Sequence, residues 1–156
     1  MRVRLLLCVG AVLSLASLLE EPVLSQAQKT AYLDSTCQPT AEQWDAWRVV
    51  YRQVFKAGGK LHGLLVSKYQ DGASQLCLAE PDGSRGHRLD VPTLQNQFIG
   101  DMRHEAGASF VIVVNHGNGR LVNLTRYRLN LSNPSRPQLT VLEQWSGPPM
   151  MKETVR

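Results

Sequence analysis

Thr40-Ala-Glu-Gln-Trp-Asp-Ala-Trp-Arg-Val-Val-Tyr-Arg-Gln-Val-Phe-Lys-Ala57, followed by Gly58-Gly59, is the stretch on which the fold class turns. Read at a period of 3.6, Trp44, Trp47, Tyr51, Val54 and Phe55 fall on one stripe, while Glu42, Asp45, Arg52, Gln53 and Lys56 cover the rest. Thr40 and Gln43 fit a capping box, in which each satisfies an orphan amide at a helix start. Acids lie near the beginning and bases near the end, as the helix dipole favours. The glycine pair reads as a helix stop. The spacing therefore predicts a helix over 41–57 that buries its tryptophans.

Outward from this stretch the pattern changes to strands. Lys60 to Tyr69 places His62, Leu64 and Val66 on one face and Leu61, Leu65 and Tyr69 on the other. Gln70-Asp71-Gly72 is a turn. Ser74 to Glu80 is the partner strand, closed by Pro81-Asp82-Gly83. Residues 84–91 read as a loop or a short edge strand. Pro92-Thr93 opens a second, shorter predicted helix with Leu94, Phe98, Ile99 and Met102 on its apolar face and Gly107 past its end.

The last third is the strongest β signal. Ser109 to Val114 is apolar on both faces, which suits a central strand. Asn115 to Gly119 is built from residues that tolerate positive φ. Arg120 to Leu131 is the return strand; its apolar parity switches after Leu124, which a bulge near Thr125–Arg126 would reconcile. A turn at 132–137 leads to a final strand, Gln138 to Trp145. The expected architecture is a two-layer α+β domain: one antiparallel sheet of about five strands, one long helix packed on it and a second short helix, in the order α-β-β-α-β-β-β. Its expected limits are 40–147, after an extended segment 28–39 and before a frayed tail 148–156.

The first 27 residues read as an export signal. Arg2 and Arg4 precede an uncharged run from Leu5 to Leu19, and Ser25-Gln26-Ala27 supplies the small residues a signal peptidase reads. An uncleaved anchor is the competing reading, although the run falls short of the roughly 20 residues a span needs. Cys8, inside the run and preceded by leucines, is a hydrophobe rather than a lipidation site. Export leaves Cys37 and Cys77 in oxidising surroundings and predicts a disulfide between them. Removing residues 1–27 takes away two arginines and two glutamates, so the net charge of +4 is unchanged. That charge suits a protein or anionic envelope partner. It comes with no basic run, so nucleic acid is not expected. A membrane enters only through an uncleaved leader.

No cofactor, metal or nucleophile motif is legible. Asp101, His104 and Glu105 form the densest polar group and, on a helix, would lie one turn apart, which suits either imidazole orientation or a solvated helix end. With His87 they define the alternative reading, a small hydrolase or lyase. His62 and His116 sit in a strand and a turn. Gly117-Asn118-Gly119 joins two strands and is a hairpin turn rather than a phosphate loop. Asn123 and Asn130 head glycosylation acceptor patterns, of which Asn130, beside a turn, is the better placed. Arg120, Arg126 and Arg128 share a parity on one strand, and Arg48, Arg52 and Lys56 share a stripe on the predicted helix. Trp145, beside Gly147-Pro148-Pro149, is expected to be partly exposed. The expectation is therefore an exported, non-enzymatic binding domain whose surface includes Arg120, Arg126, Arg128 and Trp145.

Overall fold

The computed structural model describes residues 30–151, so the expected export signal over 1–27 and the last five residues lie outside the described residues. Among the described residues there is no α-helix; the chain is built of β-strands with a single 3₁₀ turn at Pro92–Leu94. The expected α+β sandwich is thereby corrected to an all-β domain of two antiparallel sheets. In chain order the strands are β1 (Tyr32–Leu33), β2 (Pro39–Thr40), β3 (Trp47–Ala57), β4 (Lys60–Lys68), β5 (Ser74–Ala79), β6 (Gly86–Arg88), β7 (Phe98–Ala106), β8 (Ser109–His116), β9 (Val122–Asn130) and β10 (Gln138–Gly147). The first sheet runs β2-β1-β3-β4-β5-β6 and the second β10-β9-β8-β7.

The stretch expected to be the long helix is β3. Its composition favours this: Val49, Val50 and Val54 are β-branched, and Trp47, Tyr51 and Phe55 are aromatic, the residue types that suit a pleated, half-buried surface. Its pairing with β4 slips at Val50, so Trp47 and Val49 pack on the outer side of the sheet while Tyr51 and Phe55 join the inner core. Gly58 and Gly59, at φ +55° and +79°, form the two-residue hairpin loop between Ala57 and Lys60 and end no helix. The second expected helix is likewise replaced by the 3₁₀ turn and β7, whose pairing with β8 slips at Gly100 and again at Glu105.

The core lies between the sheets. Phe55, Leu64, Val66, Leu76 and Leu78 from the first face Met102, Phe110, Ile112, Tyr127 and Leu129 from the second. Phe110 is fully buried, with its ring edge-on to Phe55 at 5.4 Å. At one corner the two sheets join through β5 and β7. Ser74 and Gln97 form an antiparallel bridge there. The buried Gln95 amide extends the junction: its Oε1 accepts from the Leu76 amide at 3.0 Å and its Nε2 donates to the carbonyls of Leu76 at 3.0 Å and Leu89 at 2.7 Å. One side chain thus does the work of a missing strand segment.

Each sheet is also covered on its outer face. Leu33 and Cys37 lie over Leu65, Cys77 and Ala79, where Cys37 and Cys77 form the expected disulfide with a Cα separation of 5.9 Å. Gln75, almost fully buried, donates toward Cys37 Sγ at 2.9 Å. On the second sheet Val113, Val122 and Leu124 are covered by Trp145 and Met150. This cover explains the parity change in β9. Val122 and Leu124 are outer-face apolar residues, and β9 pairs with β8 without a break. The slip lies on the neighbouring strand, in β10 at Leu142. The chain stays ordered past Gly147: Asn115 Nδ2 donates to the Met150 carbonyl at 2.8 Å, and the Met150 amide donates to Asn115 Oδ1 at 3.1 Å.

Candidate functional site

The three arginines singled out from the sequence do not form one cationic surface. Arg120 lies in the turn before β9, off the strand it was expected to share. Arg126 and Arg128 lie on the outer face of the second sheet, each beside a carboxylate. Arg126 pairs with Glu143 and stands 5.1 Å above the Trp145 ring. Arg128 holds Glu105 through two bonds of 2.8 and 3.2 Å. That bond to Arg128 draws the Glu105 carboxyl below its ordinary range. Trp145 is partly exposed.

The polar group at Asp101, His104 and Glu105 disperses because β7 is a strand. Residues three apart face opposite ways in a strand, so Asp101 lies opposite Val113 on the outer face and His104 opposite Phe110 on the inner one. His104 Nε2 contacts the Gly107 carbonyl at 2.8 Å, and its ring rests on Phe110. His62 stacks on Phe55, His87 is exposed on β6, and His116 Nε2 lies 2.9 Å from Thr125 Oγ1. No two of these histidines are brought together with a carboxylate, and among the described residues no group of His, Cys, Asp and Glu is placed to hold a metal. Of the acceptor patterns, Asn123 bonds to Ser146 Oγ at 2.9 Å and its Thr125 is buried, while Asn130 accepts from the Ser132 amide at 2.8 Å in an Asx turn.

A different site emerges where β3 begins and β4 ends. The turn between β2 and β3 presents Trp44 with 79% of its surface exposed. Gln70 Nε2 fixes that turn by donating to the Trp44 carbonyl, and the Ala46 amide closes it on the Gln43 carbonyl at 3.0 Å. Beside Trp44 opens a groove of about 670 Å³ that also includes Tyr32, Tyr69, Arg48 and Lys68. The Gln70-Asp71-Gly72 turn supplies one wall, with Gly72 at φ +91° and the Phe98 ring 3.3 Å from where a Cβ would stand. Tyr32 is anchored by a hydrogen bond to the Glu42 carboxylate, which pushes its phenol above the ordinary tyrosine range. Trp47, which the sequence groups with Trp44, instead packs on the outer face of the first sheet, with its ring 5.3 Å from Tyr69.

Arg48 and Lys68 are register partners in the β3–β4 ladder, and both line the groove. Glu42 lines it as well, so the groove carries charge of both signs. It combines aromatic faces with charged side chains at its margin. The sequence reading missed it because it assigned Trp44 to a buried helical stripe. The available signal was the polar, turn-forming context Glu42-Gln43-Trp44-Asp45 ahead of a β-branched run. Comparison with known proteins finds no match among family models, curated protein sequences or solved structures.

Proposed function

We propose that this chain is an extracytoplasmic binding domain that holds a ring-bearing polymer in the Trp44 groove. One observation carries the reading: an exposed indole and two tyrosines share one open groove. Aromatic faces take sugar-like rings by area and edge contacts. A groove open to solvent suits a chain that passes through rather than a substrate enclosed for reaction. Export is supported by the leader and by the Cys37–Cys77 disulfide. Among the described residues no helix is long and apolar enough to cross a membrane.

The test is titration with dextran, a polysaccharide, against polyethylene glycol, a polymer without rings, read by tryptophan fluorescence. Dextran is expected to shift the Trp44 emission and polyethylene glycol to leave it unchanged. Trp44→Ala should weaken dextran binding at least tenfold while leaving stability within about 0.5 kcal/mol, since most of the side chain is exposed. Equal binding by Trp44→Ala and the parent, or equal binding of both polymers, refutes the groove.

A second reading keeps the arginine face, favoured by the cation–π stack of Arg126 on the partly exposed Trp145. There an acidic protein partner would replace Glu105 and Glu143 as counter-ions. Charge reversal at Arg126 and Arg128, with Trp44 intact, abolishes binding under this reading and spares it under the first.

A further inference from the structure

Beyond Gly147 the chain stays on the domain. Pro148, Pro149, Met150 and Met151 follow as a strap along the outer face of the second sheet. It starts where Gly147 pairs with Val122 on β9. Met150 then packs with Trp145 over Val113, Val122 and Leu124. On β8 the buried Asn115 takes both backbone groups of Met150: its Nδ2 donates to the carbonyl at 2.8 Å, and its Oδ1 accepts from the amide at 3.1 Å. On β7 Gly100 makes the room. A Cβ added there would stand within 3.0 Å of the Met150 carbonyl oxygen, Asn115 Nδ2 and Met150 Cβ, so everything nearest to it belongs to the strap or to its clamp. Gly100 is not one of the glycines at positive φ, so its backbone suits other residues. The next residue, Met151, is 86% exposed and lines the Trp44 groove together with Tyr69 and Gly72.

We infer that the strap is a clasp on the polymer groove, with Asn115 as its positioning residue. The two bonds seat Met150, and that seat sets Met151 at the groove, where a flexible thioether extends the aromatic lining offered to the polymer. Two hydrogen bonds and the partial burial of Met150 are a small sum against the entropy of ordering the strap, so the seat holds against a substantial opposing cost. A polymer that touches Met151 binds the seated form better than the unseated one. Seating and binding therefore strengthen each other, and by the same factor. This device rests on the Trp44 groove holding a polymer, and it adds a regulation of that site by a segment outside the first sheet.

The experiment compares dextran affinity with amide hydrogen exchange at Met150, read by NMR, in the parent protein and in three variants. Gly100→Ala fills the seat from β7 and Asn115→Ala removes the clamp from β8, so each should speed Met150 exchange and weaken dextran binding about fivefold. Met151→Ala should weaken binding about as much and leave Met150 exchange in the free protein unchanged. Combining it with Asn115→Ala should add nothing to either variant alone. Saturating dextran should slow Met150 exchange about fivefold in the parent and leave it unchanged in Met151→Ala. Trp44→Ala separates the clasp from the groove. If Trp44→Ala binds dextran as the parent does, the groove falls and the clasp with it. If Trp44→Ala loses binding while the three strap variants bind as the parent does, the groove stands and the clasp falls. Met150 exchange that is as fast in the parent as in Gly100→Ala, or that dextran leaves unchanged in the parent, also overturns the clasp. Met151 is exposed, so its variant stays folded and decides the matter even where a change at Gly100 or Asn115 unfolds the protein.

Discussion

The glycine pair after β3 offers the sharpest test of the all-β architecture. Gly58 and Gly59 have φ of +55° and +79°, and Ala57 pairs with Lys60 across them. They are the two central residues of a tight hairpin whose twist requires left-handed backbone at both positions. A Cβ added at either position meets nothing within 4 Å. Substitution therefore brings no clash, and its cost is backbone alone. Left-handed backbone costs an ordinary L-residue about 1–2 kcal/mol, whereas asparagine tolerates it through local hydrogen bonding. Gly58→Ala should lose about 1–2 kcal/mol, and Gly58→Asn should stay within about 0.5 kcal/mol of the parent. Gly59→Ala should cost about as much as Gly58→Ala, and the double alanine variant about 2–4 kcal/mol, with some coupling because the residues are adjacent. The assay is urea unfolding followed by tryptophan fluorescence, with the slope checked for constancy. Each kcal/mol should also move the melting temperature by about 3–5 °C in a domain of this size. If 41–57 were a helix, its stop would need left-handed backbone at one glycine only, so Gly58→Ala and Gly59→Ala would not both cost about 1–2 kcal/mol. Gly58→Ala as stable as the parent, or Gly58→Asn as costly as Gly58→Ala, refutes the hairpin.

Three further outcomes follow from the packing. Replacing both Cys37 and Cys77 with alanine opens a loop with a sequence separation of 40, and should cost about 4 kcal/mol in the chain-entropy account; a loss below about 1 kcal/mol in chemical denaturation would show that the N-terminal cover is not tied down by the disulfide. Gln95→Leu keeps the volume, and the carbonyls of Leu76 and Leu89 retain the amides of Leu89 and Val91 as donors, but the buried Leu76 amide loses its acceptor, so unfolding should show a loss of about 1–3 kcal/mol; a neutral result means the sheet corner does not need this amide. Asp34 accepts from the amides of Thr36 and Gln38 and from the Thr36 hydroxyl, and these bonds, that from Gln38 foremost, hold its carboxyl below the ordinary range. A depressed folded value contributes stability above the unfolded value of about 3.9 and loses it as pH falls through the folded one. The parent should therefore lose stability more steeply than Asp34→Asn below about pH 4, and parallel acid-unfolding curves would contradict this.

The sequence errors share one physical cause. A bulge inserts a residue into a strand and turns a spacing of two into a spacing of three, which imitates a helix. In β3 the slip at Val50 places Trp47 and Val49 outside and Tyr51 and Phe55 inside, so the aromatic residues lie at mixed intervals that also fit 3.6. In β7 the slip at Gly100 puts both Ile99 and Met102 into the core, three positions apart. Gly100 is required there for another reason: a Cβ would stand 2.3 Å from the Met150 carbonyl oxygen. Where strands run unbroken, as in β5 and β8, alternation and turn chemistry located them directly. The Gln70-Asp71-Gly72, Pro81-Asp82-Gly83 and 132–137 turns lie where the residues placed them, because positive φ and Asx bonding are local properties of the chain.

The candidate surfaces were less legible because each depends on which residues a strand brings together. A periodicity argument places Trp44 with Trp47 on one stripe, yet the first strand residue is Trp47, and Trp44 is left on the turn before it. Arg48 and Lys68 are far apart in sequence and become neighbours only through the β3–β4 register, which the Gly58-Gly59 turn sets. Arg126 and Arg128 gain their counter-ions in the same way, Glu143 from β10 and Glu105 from β7. Charge on a strand therefore says little until its lateral partners are known. Two arginines that count as a cationic patch in the sequence arrive with carboxylates. The same register brings Tyr69, just after β4, beside the start of β3, where Tyr32 and Trp44 complete the aromatic lining of one groove. Shifting that register by adding one glycine to the Gly58-Gly59 loop would displace Tyr69 from Trp44 at unchanged net charge, and should abolish polymer capture.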